Sequence, residues 1–174
     1  MATPTALPAT FTAGQVLTAA QQNGLRGAFR ILQVANVFKA DTFSFTSTSF
    51  VDVTGLSVSI TPREATSQII CMGQINTGTA GAEYVIVQLV RDATAIGSGT
   101  GGSTYNGITV NPFQSASGMW TQPFMFVDSP ATTSATTYKI QVRGSSAVAA
   151  YVNRRASDTL FGGSSNIILM EVSA

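Results

Sequence analysis

The chain has 174 residues, of which 44% are apolar and only 10% are charged, and its formal net charge is +1. It has no histidine and a single cysteine, which excludes serine–histidine and cysteine–histidine catalysis, a zinc site and a disulfide within the chain. An ordinary globular domain carries about 25% charged residues. A surface so poor in charge favours burial in an oligomer or a larger particle.

The first 34 residues predict a segment separate from the remainder. Residues 1–13 are small and polar and contain two prolines, which favours an extended chain. Thr18 and Gln21 fit a capping box, so a helix is expected to start at Thr18. The apolar residues at helical spacing are Leu25, Ala28, Phe29 and Leu32. This helix packs either on its own β-domain or on neighbouring copies or another partner, and the candidate docking residues are Phe11, Val16, Leu17, Leu25 and Phe29.

From residue 35 to residue 174 the sequence predicts an all-β domain. About eight or nine short runs of β-forming residues are separated by small polar turns, as in an antiparallel β-sandwich or barrel. Residues 56–61 alternate strictly, so Leu56, Val58 and Ile60 should face a core, and a turn is expected at residues 54–55. Upstream, one face of the first run should carry Val37, Phe43 and Phe45.

Two later runs, residues 68–75 and 84–91, are apolar on both faces. They predict central strands that are covered on both sides by the second sheet, the helix or another subunit. Residues 76–82 are expected to form a loop between them. The glycine-rich residues 97–107 predict a long surface loop, because neither a phosphate-binding lysine nor a following helix accompanies the glycines.

The last third of the chain predicts further strands. Residues 118–127 should form a strand in which Pro123 marks an edge or a bulge. Residues 138–143 alternate cleanly, and residues 149–153 and 166–172 complete the set.

Few side chains in this sequence are suited to chemistry. The eight acidic residues are scattered and show no spacing typical of a glycosidase pair. Asp128 and Asp158 flank turns, where they are expected to cap the turns more readily than to bind calcium. The aromatic residues Tyr105, Phe113 and Trp120 lie in or beside the long loop and either plug the end of the sandwich or contact sugars at its tip. Cys71 lies in an apolar run, which predicts a buried, inert thiol.

Several strings, taken together in their order, resemble a known group of proteins. Residues 11–23, FTAGQVLTAAQQN, resemble the N-terminal attachment segment of many tailed-bacteriophage tail and fibre proteins. The strings that resemble the β-domain of virion appendage proteins, cyanophage proteins among them, are TSFVDVTGLSVSITP (48–62), LVRDATAIG (89–97), TTSATTYKIQVR (132–143), YVNRR (151–155) and ILMEV (168–172).

The resemblance implies a non-enzymatic, homotrimeric virion protein with a jelly-roll-like sandwich, which works as a short tail fibre or appendage and meets a host-surface glycan. It supplies no catalytic residue, metal or cofactor. The sequence lacks a coiled-coil or β-helical shaft, so a capsid decoration protein is the first alternative, and a polysaccharide-degrading tail enzyme is the remote one. Synthesis in the host cytoplasm without a signal peptide is expected, as is the absence of nucleic-acid binding and membrane insertion.

Overall fold

The computed structural model describes residues 31–111 and 118–173, together with residues 14, 16, 18 and 19. Within these residues the chain forms eleven strands. They are β1 (Ile31–Lys39), β2 (Phe43–Phe45), β3 (Val51–Ile60), β4 (Gln68–Thr79), β5 (Val85–Arg91), β6 (Thr94–Ile96), β7 (Thr109–Val110), β8 (Trp120–Asp128), β9 (Thr136–Gly144), β10 (Ala150–Val152) and β11 (Ser165–Val172).

The strands form two antiparallel sheets with a jelly-roll strand order. In the first sheet the neighbours are β1, β11, β4 and β8, while β10 and β2 continue it from the end of β4. In the second sheet the order is β3, β9 and β5, and both β6 and β7 pair with the free edge of β5. When β2 and β10 are set aside and β6 and β7 are counted as one strand, eight strands remain, which we renumber 1 to 8 in chain order. In this numbering the first sheet has the order 1-8-3-6 and the second has the order 2-7-4-5, which is the order of a double Greek key. The expected all-β, jelly-roll-like sandwich is confirmed.

The core lies between the two sheets and is almost entirely apolar. Alternate residues of each strand point into it, and the first sheet contributes Ile69, Cys71 and Leu169 while the second contributes Leu89 and Ile140, all fully buried. Burial of such a side chain contributes about 1.5–3 kcal/mol. The predicted core-facing positions are confirmed, because each of these residues lies in the core or packs against it: Val37, Phe43, Phe45, Leu56, Val58 and Ile60.

β1 begins at Ile31, before the end of the run whose helical spacing predicts a helix through Leu32. Leu32 lies in β1, which pairs with β11 from Ile31 onward, so the helix does not extend to Leu32. The first four residues of β1 belong to the sandwich sheet, although they were assigned to the N-terminal segment. The extended segment, the predicted helix beyond Thr18 and Ala19, and the docking candidates Phe11, Leu17, Leu25 and Phe29 lie outside the described residues.

The predicted turn at residues 54–55 is a bulge within one strand. β3 runs through it from Val51 to Ile60, and its pairing with β9 shifts register between Asp52 and Ser57. Gly55 has a φ of 85°, a left-handed backbone conformation that glycine adopts without a steric penalty. The glycine therefore bends the strand and does not end it.

The predicted loop at residues 76–82 is in part a strand, because β4 continues to Thr79. Its polar side chains are buried and engaged: the Thr77 hydroxyl oxygen accepts hydrogen bonds from Gln122 (2.8 Å) and from Asn111 (3.3 Å). The Asn76 side chain donates to Ser164 O (2.5 Å). A run of polar residues in a sequence is typical of a loop. In this run, hydrogen bonds from buried side chains stabilise the strand conformation.

Candidate functional site

The outer face of the first sheet is built from alternate residues of four neighbouring strands, β1, β11, β4 and β8. Because side chains alternate along a strand, the residues between the core positions point away from the second sheet. Cross-strand pairing sets them in rows, of which the two central ones are Val34–Met170–Ile70–Val127 and Asn36–Ile168–Met72–Met125. A third row runs through Phe38, Asn166, Gln74 and Pro123.

We call this surface the apolar face, and its apolar members are Val34, Phe38, Ile70, Met72, Pro123, Met125, Val127, Ile168, Met170 and Val172. The side chains on the two edge strands are open to solvent: Met125 is 72% exposed, Phe38 67%, Val34 57% and Val127 50%. Those on the central strands are half-buried by their neighbours. Two faces of β4 are therefore apolar, as predicted, but among the described residues only the inner face is covered by another sheet.

No charged residue lies on the apolar face. Its polar members are amides, Asn36, Gln74 and Asn166, and the charged residues of the same strands point inward, as Lys39, Glu171 and Asp128 do. Four strands spaced ~4.8 Å apart, each contributing about six residues of ~3.3 Å rise, cover roughly 300–400 Å² in projection. The largest apolar patch on a typical soluble monomer is about this size and is often functional.

Among the residues that the sequence singled out as docking or tip contacts, the described ones are Val16, Tyr105 and Trp120, and none of these three is a member of the apolar face. Of the docking candidates only Val16 is described, and it is 86% exposed. Tyr105 is 44% exposed, donates from its hydroxyl to Ser145 O (3.2 Å) and lies under the Arg143 guanidinium at 5.4 Å. Trp120 is 47% exposed on β8, opposite Thr77. Phe113 lies outside the described residues.

Sequence analysis missed the apolar face because its members come from four separated segments. A signal was present: the run at residues 68–75 is apolar on both faces, and Ile168 and Met170 alternate with the core residues of β11. Met125 and Val127 on β8 carry the same signal. A strand with two apolar faces needs two covers, and the described part of the chain supplies one.

Asp128 lies buried inside the sandwich and is held there by side chains of other strands, which corrects the expectation that it caps a turn. Its carboxylate accepts hydrogen bonds from Arg91 at 2.8 and 2.9 Å and from the Tyr138 hydroxyl at 2.7 Å. Burial, followed by this hydrogen bond and the nearby negative charge, raises the pKa of Tyr138 above its ordinary value. Asp158, by contrast, forms a bidentate ion pair with Arg155 and accepts from Leu160 N (3.0 Å), as a turn-capping residue does.

Glu83 and Glu171 are two further carboxylates that are fully buried. Glu83 accepts hydrogen bonds from Ser145 Oγ (2.6 Å) and from the backbone and hydroxyl of Ser146. Glu171 accepts from Gln33 (2.6 Å) and from Arg63 N (2.7 Å). Burial acts to raise the pKa of each carboxyl, but the hydrogen bonds outweigh burial and leave both pKa values below the ordinary 4.5.

These carboxylates have structural roles in the part of the chain described here. Glu171 and Asp128 flank Ile69 on opposite sides, which puts their strands two spacings, roughly 10 Å, apart. Each is buried and held by its own donors. No cluster of three acidic or cysteine side chains that could hold a metal ion occurs among the described residues, and no helix found there is long and apolar enough to cross a membrane.

Comparisons with known proteins yield structures only. No protein-family model and no curated protein matches the chain. A chain from the infectious bursal disease virus Gt strain is 14% identical with a TM-score of 0.44, and the match covers 80% of this chain and 39% of that one. The Gx strain gives 16% identity, 84% and 39% coverage and a TM-score of 0.44. A chain from the T13 IBDV viral particle is 15% identical with a TM-score of 0.44, and the match covers 83% of this chain and 38% of that one. This chain spans about two fifths of those chains, and similarity at this level assigns no function.

Proposed function

We propose that this chain is a non-enzymatic structural protein of a tailed-bacteriophage virion, a short trimeric tail fibre or appendage. The observation that carries the proposal is the apolar face, which exposes Phe38, Met125 and their neighbours without a single charge. A chain that combines this uncovered apolar face with only 10% charged residues gains solubility when the face is buried in an oligomer. Burial against a second copy of the chain removes it from water at about 25 cal/mol per Å².

The threefold arrangement is the one that the resemblance to virion appendage proteins implies. In a trimer each contact is heterologous, so the apolar face of one copy meets a different surface of the next. The N-terminal segment, residues 1–34, would gather near the threefold axis or attach to the particle, as its resemblance to attachment segments implies. The loops at the far end, with Tyr105 and Trp120, would then face the host, and several weak glycan contacts would add up.

The oligomer is tested by a charge placed on the apolar face. Met125→Lys puts an ammonium group on the β8 edge of this face, and such a group is costly to bury without a partner. We expect the full chain to be a trimer at micromolar concentration in light scattering and the variant to be mostly monomeric. Val110→Lys, on a half-exposed apolar residue of the second sheet, is the matched control and should remain a trimer. A wild-type protein found only as monomers contradicts the proposal.

The position on the virion is tested by electron microscopy with labelled antibody on phage particles that carry this chain. Label at the tail or its fibres supports the appendage. Label spread over the capsid supports the alternative, a decoration protein. Absence of label from intact particles overturns both.

A further inference from the structure

A groove at the end of the first sheet, where β2 pairs with β10, carries an inference that is independent of the oligomer. It has a volume of about 360 Å³ and is bounded by the β1–β2 connection on one side and by the segment between β10 and β11 on the other. Ser44 lies directly opposite Tyr151 in the β2–β10 pair, so both side chains are on the outer face of the sheet. The groove and the apolar face are therefore neighbours on the same side of the molecule.

The groove contains one cation and no acidic lining residue. Arg154 lines it, and the Arg154 guanidinium lies 3.9 Å above the ring of Tyr151. Within the described residues Arg154 forms no ion pair, whereas the adjacent Arg155 is neutralised by Asp158. Stacking uses the flat face of a guanidinium and leaves the N–H groups at its edge available, which is the geometry that binds a carboxylate through two parallel hydrogen bonds.

The other lining groups suit a hydroxylated ring. The hydroxyls of Thr42, Ser44 and Thr159 line the groove, and in the part of the chain that is described they have no protein partner. Phe161 lines the same groove and is 54% exposed, although Arg155 stacks on its ring at 3.9 Å. An aromatic ring with one free face can pack against the apolar face of a sugar while the hydroxyls bond its edge.

The two walls of the groove are held in place by one buried residue. The Asn153 side chain donates to Lys39 O (2.9 Å) and Asp41 O (3.0 Å), and it accepts from Ser165 Oγ (2.6 Å). Its backbone is left-handed, with a φ of 63°, which asparagine tolerates better than most residues. These bonds tie the β1–β2 connection to the β10–β11 segment, so a ligand need not order the site on binding.

We propose that this groove binds a sugar unit that bears a carboxylate. Arg154 holds the carboxylate, Phe161 packs on the ring, and the hydroxyls of Thr42, Ser44 and Thr159 bond the ring substituents. The site is distinct from the tip residues Tyr105, Phe113 and Trp120 and does not depend on the apolar face.

Titration of the full chain with methyl α-galacturonide, followed by nuclear magnetic resonance or calorimetry, tests the proposal. The neutral methyl α-galactoside, which differs by the carboxylate alone, should bind about tenfold more weakly, since a hydrogen bond to a charged group contributes at least that much. Equal binding of the two sugars, or no binding of the acidic one at about 20 mM, overturns the proposal.

Variants assign the effect to the groove. Arg154→Gln should weaken the acidic sugar about tenfold and leave the neutral one unchanged, and Phe161→Ala should weaken both. Arg143→Gln is the matched control, because Arg143 also stacks on aromatic rings, those of Phe50 and Tyr105, but lies outside the groove. Unchanged binding in Arg154→Gln with unaltered thermal unfolding overturns the proposal. So does inorganic sulfate binding as tightly as the acidic sugar, because the groove would then be a plain anion site.

Discussion

At the scale of single residues, the buried polar groups of this protein are held by specific donors and acceptors. Glu83, Glu171 and Asp128 would each be costly to bury as isolated carboxylates. Each instead accepts two or more hydrogen bonds, and for Glu83 and Glu171 the result is a pKa below the ordinary value. No sequence pattern revealed this, because the donors lie far away: Ser145 and Ser146 follow Glu83 by more than 60 positions.

A lowered carboxyl pKa makes stability depend on pH. Below about pH 4.5, the ordinary value for both glutamates, the unfolded chain binds more protons than the folded one, so stability falls as the pH drops through this window. The free energy of unfolding should be level from pH 7 to about 5 and decline steeply toward pH 3, as measured by urea unfolding at fixed protein concentration.

Glu83→Gln should lower stability at pH 7 by about 1–3 kcal/mol and flatten the decline, because the group that takes up the proton is gone. Glu64→Gln is the control, since Glu64 is exposed and surface substitutions of this kind usually change stability by no more than about 0.5 kcal/mol. An unchanged acid profile in Glu83→Gln contradicts the assignment.

At the scale of strands, alternation of apolar and polar residues predicts which side of a strand faces the core. It does not predict where a strand ends when its partners come from distant segments. The pattern placed Leu56 and Ile60 in the core correctly, and Pro123 does lie on an edge strand, β8. It missed that β4 continues through Thr77, whose hydrogen-bond partners come from other segments. It also split β3 at Gly55, because a glycine indicates a turn and a bulge equally well.

Gly73 in β4 is a position that the fold requires to be glycine. A Cβ atom built there would lie 2.1 Å from Asn166 O on β11 and 2.8 Å from the Phe124 ring on β8. Since one obstacle is backbone, Gly73→Ala has to push β4 and β11 apart, and we expect a loss of about 1–3 kcal/mol, the usual cost of overpacking. Thermal unfolding measures it.

Gly101→Ala provides the comparison, because nothing lies within 4 Å of a Cβ at Gly101. That variant should unfold at the wild-type temperature or slightly above it. Equal midpoints for Gly73→Ala and the wild type would show that the strands accommodate the methyl group, contrary to the packing described for β4.

At the scale of the whole molecule, the inner and outer faces of the sheets have different roles. The inner faces form one continuous core, whereas the outer side of the first sheet carries both the apolar face and the groove beside Arg154. Sequence analysis predicted the sandwich and the deficit of charge, but neither surface, because each is assembled from strands that become neighbours only in the jelly-roll order. The local pattern of apolar residues indicates which side chains are buried, whereas the strand topology determines which segments become their neighbours.

The core closes around Cys71, which makes this thiol a reporter of the whole sandwich. Its side chain is fully buried between the sheets, and burial, followed by the charge of Asp128, raises its pKa to about 12. The thiolate is the reactive form, so a thiol reagent at pH 8 should label the native protein only as fast as the sandwich opens. Gly73→Ala, which strains the core, should speed labelling by the factor that its lost stability predicts. Rapid labelling of the wild type would mean that the sheets part without global unfolding.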